Sequence, residues 1–268
     1  MANVRKPMSK KRKYQSFEEK PFPIDCNLIG YFTGLDVEIF DENSIKTLAN
    51  CGCFGEDSRP RQMISAIEKS GIEKMTKAMY EQKLKWREKF GSSQAETKII
   101  SVDGKEKEDP FIIENTRALF PEEAMFLHKE LNCLEIRNAI DGKSLSTLEL
   151  WKEFCELNES FPSHYAAYVY LKSKNWVIKL GSKFGGIFLL YKQGPAFYHA
   201  TYIVKLVVNE RIDMLEFKTH ERVAENTKKQ MLYLEINFPD DLDPLSIENL
   251  HKFTVREAAF QRKILTTY

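Results

Sequence analysis

The stretch from Tyr165 to Tyr202 constrains the fold of this chain more than any other part of the sequence. It opens with aromatic and aliphatic residues at helical spacing, and from Trp176 onward the apolar period becomes that of β-strands. Glycines stand at the bends, and a Gly194-Pro195 turn follows the second strand pattern. His199 lies just beyond that turn. Because functional side chains concentrate where hydrophobic elements end, we expect a site near His199.

The same change of period runs through the C-terminal half of the sequence. Helices are predicted after Pro121, after Ser146 or Thr147, and after Ser163, each beginning at a residue suited to a helix start. Strands are predicted over residues 110–113, 133–136, 176–180, 187–191, 197–208, 231–236 and 253–260, with a further helix over 220–227. Helices first and a mixed sheet after them predict an α+β fold.

Composition predicts five segments along the chain. They are a disordered basic tail over 1–20, an N-terminal segment with a long basic helix over 21–90, a linker over 91–109, a helical/αβ subdomain over 110–160 and a mixed-sheet domain over 161–268. The long helix is expected to begin at Pro60, with a break at Gly71 as an alternative. A weak hairpin is predicted around Asp103-Gly104. Asp41 or Asn43 is predicted to cap a short helix.

Charge and cysteine content narrow the possible partners. The net charge of +1 gives no argument for a nucleic-acid partner, although the basic run over residues 5–13 suits a nuclear localisation signal, an RNA-contacting arm or a solvated tail. Five cysteines form no secreted framework, which favours a reducing compartment. Cys51-Gly52-Cys53 has no second Cys/His pair at zinc spacing, so no metal is expected and Cys53 is predicted to pack as a small apolar residue. No apolar run reaches the about 18 residues that a membrane span needs.

Three kinds of side chain near the strand ends suit RNA cleavage without a metal or any other cofactor. Tyr191 ends one strand pattern, His199 follows the next turn, and Lys228 and Lys229 lie where a helix passes into a strand. Attack of a ribose 2′-oxygen on its own phosphate needs one proton removed, one donated and charge stabilised at phosphorus. Taken singly, each residue more often has a structural role, because tyrosines that end strands usually edge a core, lone histidines are usually structural and paired lysines usually face water.

Four segments of the sequence resemble the tRNA-splicing endonucleases. They are Tyr168–Trp176, Lys179–Gly185, Phe188–Tyr191 and Gly194–His199, and weaker similarity covers Leu150–Lys152, Gly52–Gly55 and Ser58–Pro60. Within that family the chain is most similar to the eukaryotic catalytic subunit that cuts the 5′ splice site. The resemblance implies an endonuclease domain of the tRNA-intron type over residues 161–268.

The resemblance also implies roles for individual residues. Tyr191 matches the family's catalytic tyrosine and His199 its histidine, a proposed general acid. The register from Arg222 places the catalytic lysine at Lys229, with Lys228 as the alternative. Arg222 matches an arginine expected to stack on a flipped intron base. Its usual tryptophan companion would fall near Lys263, where the sequence offers no tryptophan for a full cation–π sandwich.

The same likeness implies a substrate and an assembly. The expected substrate is intron-containing precursor tRNA, cut to a 2′,3′-cyclic phosphate and a 5′-hydroxyl in the nucleus. The expected assembly is a heterotetramer with a second catalytic subunit and two structural ones, contacted through the last strand and the acidic residues Asp240, Asp241 and Asp243. Three alternatives remain: a non-catalytic scaffold subunit, a metal-dependent nuclease using Glu216 and Lys218, and a main role in another RNA pathway such as mRNA processing.

Overall fold

The computed structural model describes residues 26–57, 73–75, 77–90, 99–109, 116–207, 213–239, 243 and 245–260. The strands are β1 (Leu28–Phe32), β2 (Val37–Ile39), β3 (Glu56–Asp57), β4 (Glu73–Met75), β5 (Ile99–Val102), β6 (Lys105–Glu108), β7 (Arg117–Leu119), β8 (Leu134–Asn138), β9 (Val177–Leu180), β10 (Phe188–Tyr191), β11 (Tyr202–Val207), β12 (Gln230–Asn237) and β13 (Thr254–Phe260). The α-helices are α1 (Glu42–Asn50), α2 (Lys77–Phe90), α3 (Pro121–Met125), α4 (Thr147–Leu157), α5 (Phe161–Ser173) and α6 (Met214–Asn226). This mixture of helices and mixed sheets confirms the predicted α+β class.

The first sheet has the strand order β3-β7-β2-β1-β8 and therefore joins residues from both sides of segment 91–109. β1 pairs in parallel with β8, and β2 and β3 pair antiparallel with β7. One apolar core runs from Leu28 through Phe154 to Tyr165. Residues 26–57 and 116–157 thus share one N-terminal domain, which differs from the predicted division into 21–90 and 110–160. Composition is a local property, so it carries no information about strands that pair across a long insertion.

The insertion between β3 and β7 contains a small third sheet in the order β4-β5-β6. The hairpin predicted at Asp103-Gly104 is confirmed, with both residues at positive φ (49° and 80°), as a tight hairpin turn requires. β5 buries Ile100 and Val102, whereas every residue of β6 is exposed. The predicted linker 91–109 therefore contains a solvated β-hairpin. Its polar composition alone resembles that of a flexible connection. The described part of the predicted long helix begins at Lys77, after a strand, and residues 58–72 lie outside the described residues.

The second sheet has the order β13-β12-β11-β10-β9, with β11 and β12 parallel and joined through α6. Successive residues of β10 point to opposite faces. Leu190 packs in a cluster with Tyr168 of α5, and Leu189 packs in another with Ala224 of α6. Helices therefore cover both faces of this sheet. No described helix has both the length and the apolarity to cross a membrane.

Helix starts follow local capping. Ser146 begins α4 with a full capping box, as predicted, in which its side chain and that of Glu149 bind each other's backbone amides. Asp41 caps α1, also as predicted. The predicted cap at Ser163 is wrong because α5 already begins at Phe161, with a proline in its first turn. The predicted start of α6 near His220 is likewise late, since Asp213 caps that helix.

Candidate active site

The register of the second sheet places the end of β10 and the starts of β11 and β12 side by side, at one end of the strands; this end is called the sheet edge of the site. Leu190 of β10 lies opposite Tyr202 of β11, which lies opposite Gln230 of β12. The ladder continues outside the named strands: the amide of Thr201 donates to the carbonyl of Leu190 at 2.7 Å, and the amide of Gln230 donates to that of Thr201 at 3.0 Å. The residues just beyond this row, which include Tyr191 and the segments of His199 and Lys229, therefore lie side by side.

Tyr191 is the last residue of β10 and is half-buried. Strand alternation places it on the face of Leu189, which is the face covered by α6. It packs there against a buried cluster that includes Ala224 and Met231. One side of the phenol ring thus has a fixed apolar support at the edge of the sheet.

His199 lies on a loop, residues 192–201, rather than on a strand. The predicted strand 197–208 is wrong at its start because the amides of Phe197 and Tyr198 both donate to the carbonyl of Gly194, which closes a turn there, and β11 begins only at Tyr202. His199 is exposed, whereas the adjacent Ala200 is buried. An exposed imidazole beside a buried anchor can reach a substrate while its backbone stays tied to the sheet.

Lys229 is placed by the way that α6 ends. Lys228 adopts the left-handed conformation (φ 54°), and the amides of Lys228 and Lys229 donate to the carbonyls of Glu225 and Ala224. This is the hydrogen-bond pattern of a Schellman motif, which fixes the direction of the chain after a helix. Lys228 is exposed and Lys229 half-buried, so the two adjacent lysines have different surroundings.

The Lys229 ammonium has two neighbours. Its Nζ donates to the carbonyl of Thr227 at 3.1 Å and lies 4.3 Å from the centroid of the Phe184 ring. Burial lowers the pKa of Lys229 below its ordinary value. Phe184 also packs against the cluster that holds Tyr191. Sequence reasoning missed this phenylalanine as a site residue, although it stands in the Lys183–Gly185 motif that carries the family resemblance.

Arg222 lies on α6, as do Glu216 and Lys218, the two residues of the alternative metal-dependent nuclease. Arg222 is exposed near the end of the helix, and the segment around Lys263 lies outside the described residues. Glu216 lies in the first turn, where its Oε1 accepts from Lys205 Nζ at 3.1 Å. Glu216 and Lys218 are two residues apart on a helix and so do not share a face. In the described part of the chain, no cluster of three or more His, Cys, Asp or Glu could hold a metal ion.

Comparison with known proteins shows what the domain that contains Tyr191, His199 and Lys229 is similar to. Residues 161–243 match the family model of the tRNA intron endonuclease, catalytic C-terminal domain. This part of the chain is therefore similar to catalytic domains of the tRNA intron endonuclease type, as the resemblance in its sequence predicted. It is similar to the probable tRNA-splicing endonuclease subunit Sen2 of Oryza sativa subsp. japonica, at 33% identity over 156 residues that cover 55% of this chain and 53% of the rice protein.

Animal proteins of the same name are similar to the chain as well. The Gallus gallus tRNA-splicing endonuclease subunit Sen2 is 35% identical over 145 residues, covering 51% of this chain and 31% of the chicken protein. The Rattus norvegicus subunit is 31% identical over 168 residues, covering 58% and 36%. The chain thus spans about half the length of the rice relative and about a third of the two animal relatives.

Proposed function

We propose that this chain is the catalytic subunit of a tRNA-splicing endonuclease and cleaves precursor tRNA at the 5′ exon–intron junction. The observation that carries the proposal is the common sheet edge of Tyr191, His199 and Lys229, which lies within the matched domain. The products are an exon ending in a 2′,3′-cyclic phosphate and an intron beginning with a 5′-hydroxyl.

Each residue has one task in this reaction. As a phenolate, Tyr191 binds the attacking 2′-hydroxyl and accepts its proton, becoming a neutral phenol, as the bond from the 2′-oxygen to phosphorus forms. His199 gives a proton to the 5′-oxygen as the bond from phosphorus to that oxygen breaks. Lys229 stabilises the charge that develops on the non-bridging phosphate oxygens. A free tyrosine has a pKa of about 10 and only its ionised form can accept a proton, so in this proposal the positive charge of Lys229 also stabilises the Tyr191 phenolate before the transfer.

The wider assembly belongs to the same proposal. A second catalytic subunit and two structural subunits complete a heterotetramer in the nucleus, and Arg222 stacks on an intron base next to the cleaved bond. β13 is the outer strand of the second sheet, with five consecutive exposed residues from Arg256 to Phe260. An exposed edge strand can pair with a strand of a neighbouring subunit. Asp243, which is exposed, lies in the acidic segment expected to contact another subunit.

The test is reconstitution with the partner subunits on an intron-bearing tRNA. His199→Ala is expected to slow cleavage at the 5′ junction by roughly 10²–10⁴-fold, because loss of a general acid has effects of that size. Cleavage at the 3′ junction should continue, and complex assembly, followed by size-exclusion chromatography, should not change. His251→Ala, at an exposed histidine on the turn Ile247–Lys252, is the matched control. Equal 5′ cleavage by His199→Ala and wild-type complexes would refute the proposal.

Two measurements separate the alternative functions. A non-catalytic scaffold subunit would retain 5′ cleavage in the Tyr191→Phe, His199→Ala and Lys229→Ala variants alike. A metal-dependent nuclease using Glu216 and Lys218 would stop in excess chelator, whereas the proposed reaction continues there. Analysis of the RNA ends then tests the chemistry directly, since a 2′,3′-cyclic phosphate resists alkaline phosphatase until acid opens it.

A further inference from the structure

A turn of the N-terminal domain contacts the loop that carries His199. This Cys53 turn, residues 52–55, follows α1 and its C-terminal cap Cys51, and Cys53 has a positive φ of 55°. The thiol of Cys53 lies 3.8 Å from the carbonyl oxygen of Gln193, within range of a weak S–H···O hydrogen bond. A Cβ placed on Gly194 would lie only 2.6 Å from Cys53 Sγ. Glycine at 194 thus permits a close approach between the N-terminal domain and the second domain, which contains α5, α6 and the second sheet.

Buried charged groups from both domains hold the Cys53 turn in place. The carbonyl of Gly55 accepts from Lys179 Nζ of β9 at 2.6 Å and from Arg117 Nη2 of β7 at 3.1 Å. The amide of Gly55 donates to Glu123 Oε2 at 2.8 Å. All three charged side chains are buried, with that of Lys179 6% exposed and that of Glu123 1% exposed. Charged groups at such depth are retained only where partners satisfy them, so the position of Gly55 is strongly determined.

The aromatic residue of the turn is fixed as well. The amide of Phe54 donates to the carbonyl of Leu48 at 2.9 Å, which ties the turn to α1. The Phe54 ring stacks on Phe126, and Lys172 Nζ of the second domain lies 4.1 Å from its centroid. Phe54 and Gly55, the two residues that follow Cys53, are therefore held by contacts that do not involve the loop of His199.

A fixed turn beside the loop of His199 limits the movement of that loop. Loops are more mobile than the elements they join, and a general acid must be held close to its productive geometry. The hydrogen bonds of Phe197 and Tyr198 to Gly194 close the loop on itself, so the position of Gly194 determines where the loop lies. The Cys53 turn contacts the loop at that residue and at its neighbour Gln193.

We propose that the Cys53 turn is a positioning element for the proposed cleavage reaction: through Gln193 and Gly194 it holds the loop so that His199 is aligned with the leaving 5′-oxygen. Cys53 itself acts as a positioning residue and does not touch the RNA. The inference rests on the proposed function and adds to it a role for the N-terminal domain in proton donation.

The first experiment compares Cys53→Ala with Cys51→Ala in the reconstituted complex. The control makes the same substitution at Cys51, which caps the C-terminus of α1 two residues before Cys53 and lies outside the turn. Single-turnover 5′ cleavage by Cys53→Ala is expected to fall roughly 10–100-fold at saturating RNA, because a misplacement of about 1 Å has effects of that size. KM should not change, and Cys51→Ala should cleave like the wild type.

A second substrate isolates the proton donated by His199. In a precursor with sulfur in place of the scissile 5′-oxygen, a thiolate leaves and needs no protonation. Cys53→Ala and His199→Ala should both cleave this phosphorothiolate substrate within a fewfold of the wild type. A turn with a merely structural role would slow both substrates equally, and that result would overturn the inference.

The contact itself can be tested by a double-mutant cycle. Gly194→Ala is expected to reduce cleavage, because its new Cβ meets Cys53 Sγ and because φ at 194 is 137°, where side chains are strained. The double variant Cys53→Ala/Gly194→Ala has no sulfur at residue 53, and the Cβ of residue 53 lies 3.7 Å from the new Cβ at 194. Cleavage should therefore partly recover relative to Gly194→Ala alone. Thermal unfolding of each complex shows whether the variants fold.

The outcomes distinguish the inference from the function on which it rests. Strictly additive effects in the cycle, or wild-type cleavage by Cys53→Ala, would overturn the positioning role while His199→Ala still supported the proposed function. Full activity of His199→Ala on the normal substrate would overturn both. Non-additive effects, together with rescue of Cys53→Ala by the sulfur substrate, are the expected result.

Discussion

The ammonium of Lys229 lies 4.3 Å from the centroid of the Phe184 ring, and that ring packs in the same cluster as Tyr191. The turn Ser182–Phe184 between β9 and β10 therefore supports two of the three proposed catalytic side chains from one position. An aromatic face attracts a cation by about 0.5–2 kcal/mol. Phe184 is thus expected to hold Lys229 in its charged, oriented form.

Phe184→Leu should reduce the part of the cleavage rate that depends on Lys229, while it keeps an apolar side chain in the cluster. The loss of about 0.5–2 kcal/mol corresponds to a roughly 2- to 30-fold lower single-turnover rate. Phe184→Tyr, which keeps the aromatic face, should stay within a fewfold of the wild type. In a Lys229→Ala background, Phe184→Leu should have little further effect. An undiminished effect in that background would contradict the proposed coupling.

Lys228 and Lys229 can be separated by substitutions that suit their conformations. Lys228 has a left-handed backbone (φ 54°) at the position after a helix where glycine is preferred. Lys228→Gly should therefore preserve cleavage and stabilise the fold by roughly 1 kcal/mol, because a side chain is strained in that conformation. Lys229→Ala should lose cleavage without a comparable gain in stability. Single-turnover cleavage and thermal unfolding measure both effects, and loss of cleavage in Lys228→Gly would move the catalytic role to that residue.

The sequence carried the order of elements near the site but not their long-range pairing. The switch from helical to strand period after α5 predicted β9, β10 and β12 closely, because it depends on local alternation. Loop geometry was harder: a turn at Gly194 keeps His199 off β11, although the residues before that strand are apolar enough to extend it. The roles of Tyr191, His199 and Lys229 stay predictions.

Contacts between distant segments could not be predicted at all. Cys53 was expected to pack as a small residue, but no local pattern indicates that Gly194 lies against it. β2 and β3 pair with β7 although a long insertion separates them in the sequence. The polar composition of the hairpin in that insertion is typical of a linker. Such contacts depend on the three-dimensional course of the chain, and a single sequence records them only through residue types that fit many environments.

Lys179 is expected to be essential for the junction between the two domains. Its Nζ contacts the Gly55 carbonyl at 2.6 Å and Glu123 Oε1 at 3.7 Å, and its side chain is 6% exposed. Lys179→Met keeps the apolar stem but leaves a buried carboxylate without this cation, which typically destabilises a fold by about 3–5 kcal/mol. Urea unfolding at pH 7 measures the change. Lys152→Met, which removes a solvent-exposed ion pair with Glu156, is the control and should change stability by less than about 1 kcal/mol.

The buried carboxyl of Glu123 gives the junction a pH dependence of known sign. Burial raises its pKa above the ordinary 4.5, although Lys179, Lys172, the Gly55 amide and Arg117 act in the opposite direction. The folded state therefore binds this proton more tightly than the unfolded chain. Between pH 4.5 and the raised pKa, the contribution of Glu123 to stability must fall as pH increases.

Other carboxyl groups titrate in the same range, so the difference between wild type and Glu123→Gln is the quantity to measure. The neutral amide cannot titrate, and its stability should decline less than that of the wild type as the pH is raised from 4.5. The relative stability of Glu123→Gln should thus increase with pH in urea-unfolding series. In a Lys179→Met background the same dependence should extend to higher pH, because the nearest cation no longer opposes the effect of burial on the pKa of Glu123. A wild type that gained stability over Glu123→Gln with rising pH would show that its carboxyl is held ionised, with a lowered pKa.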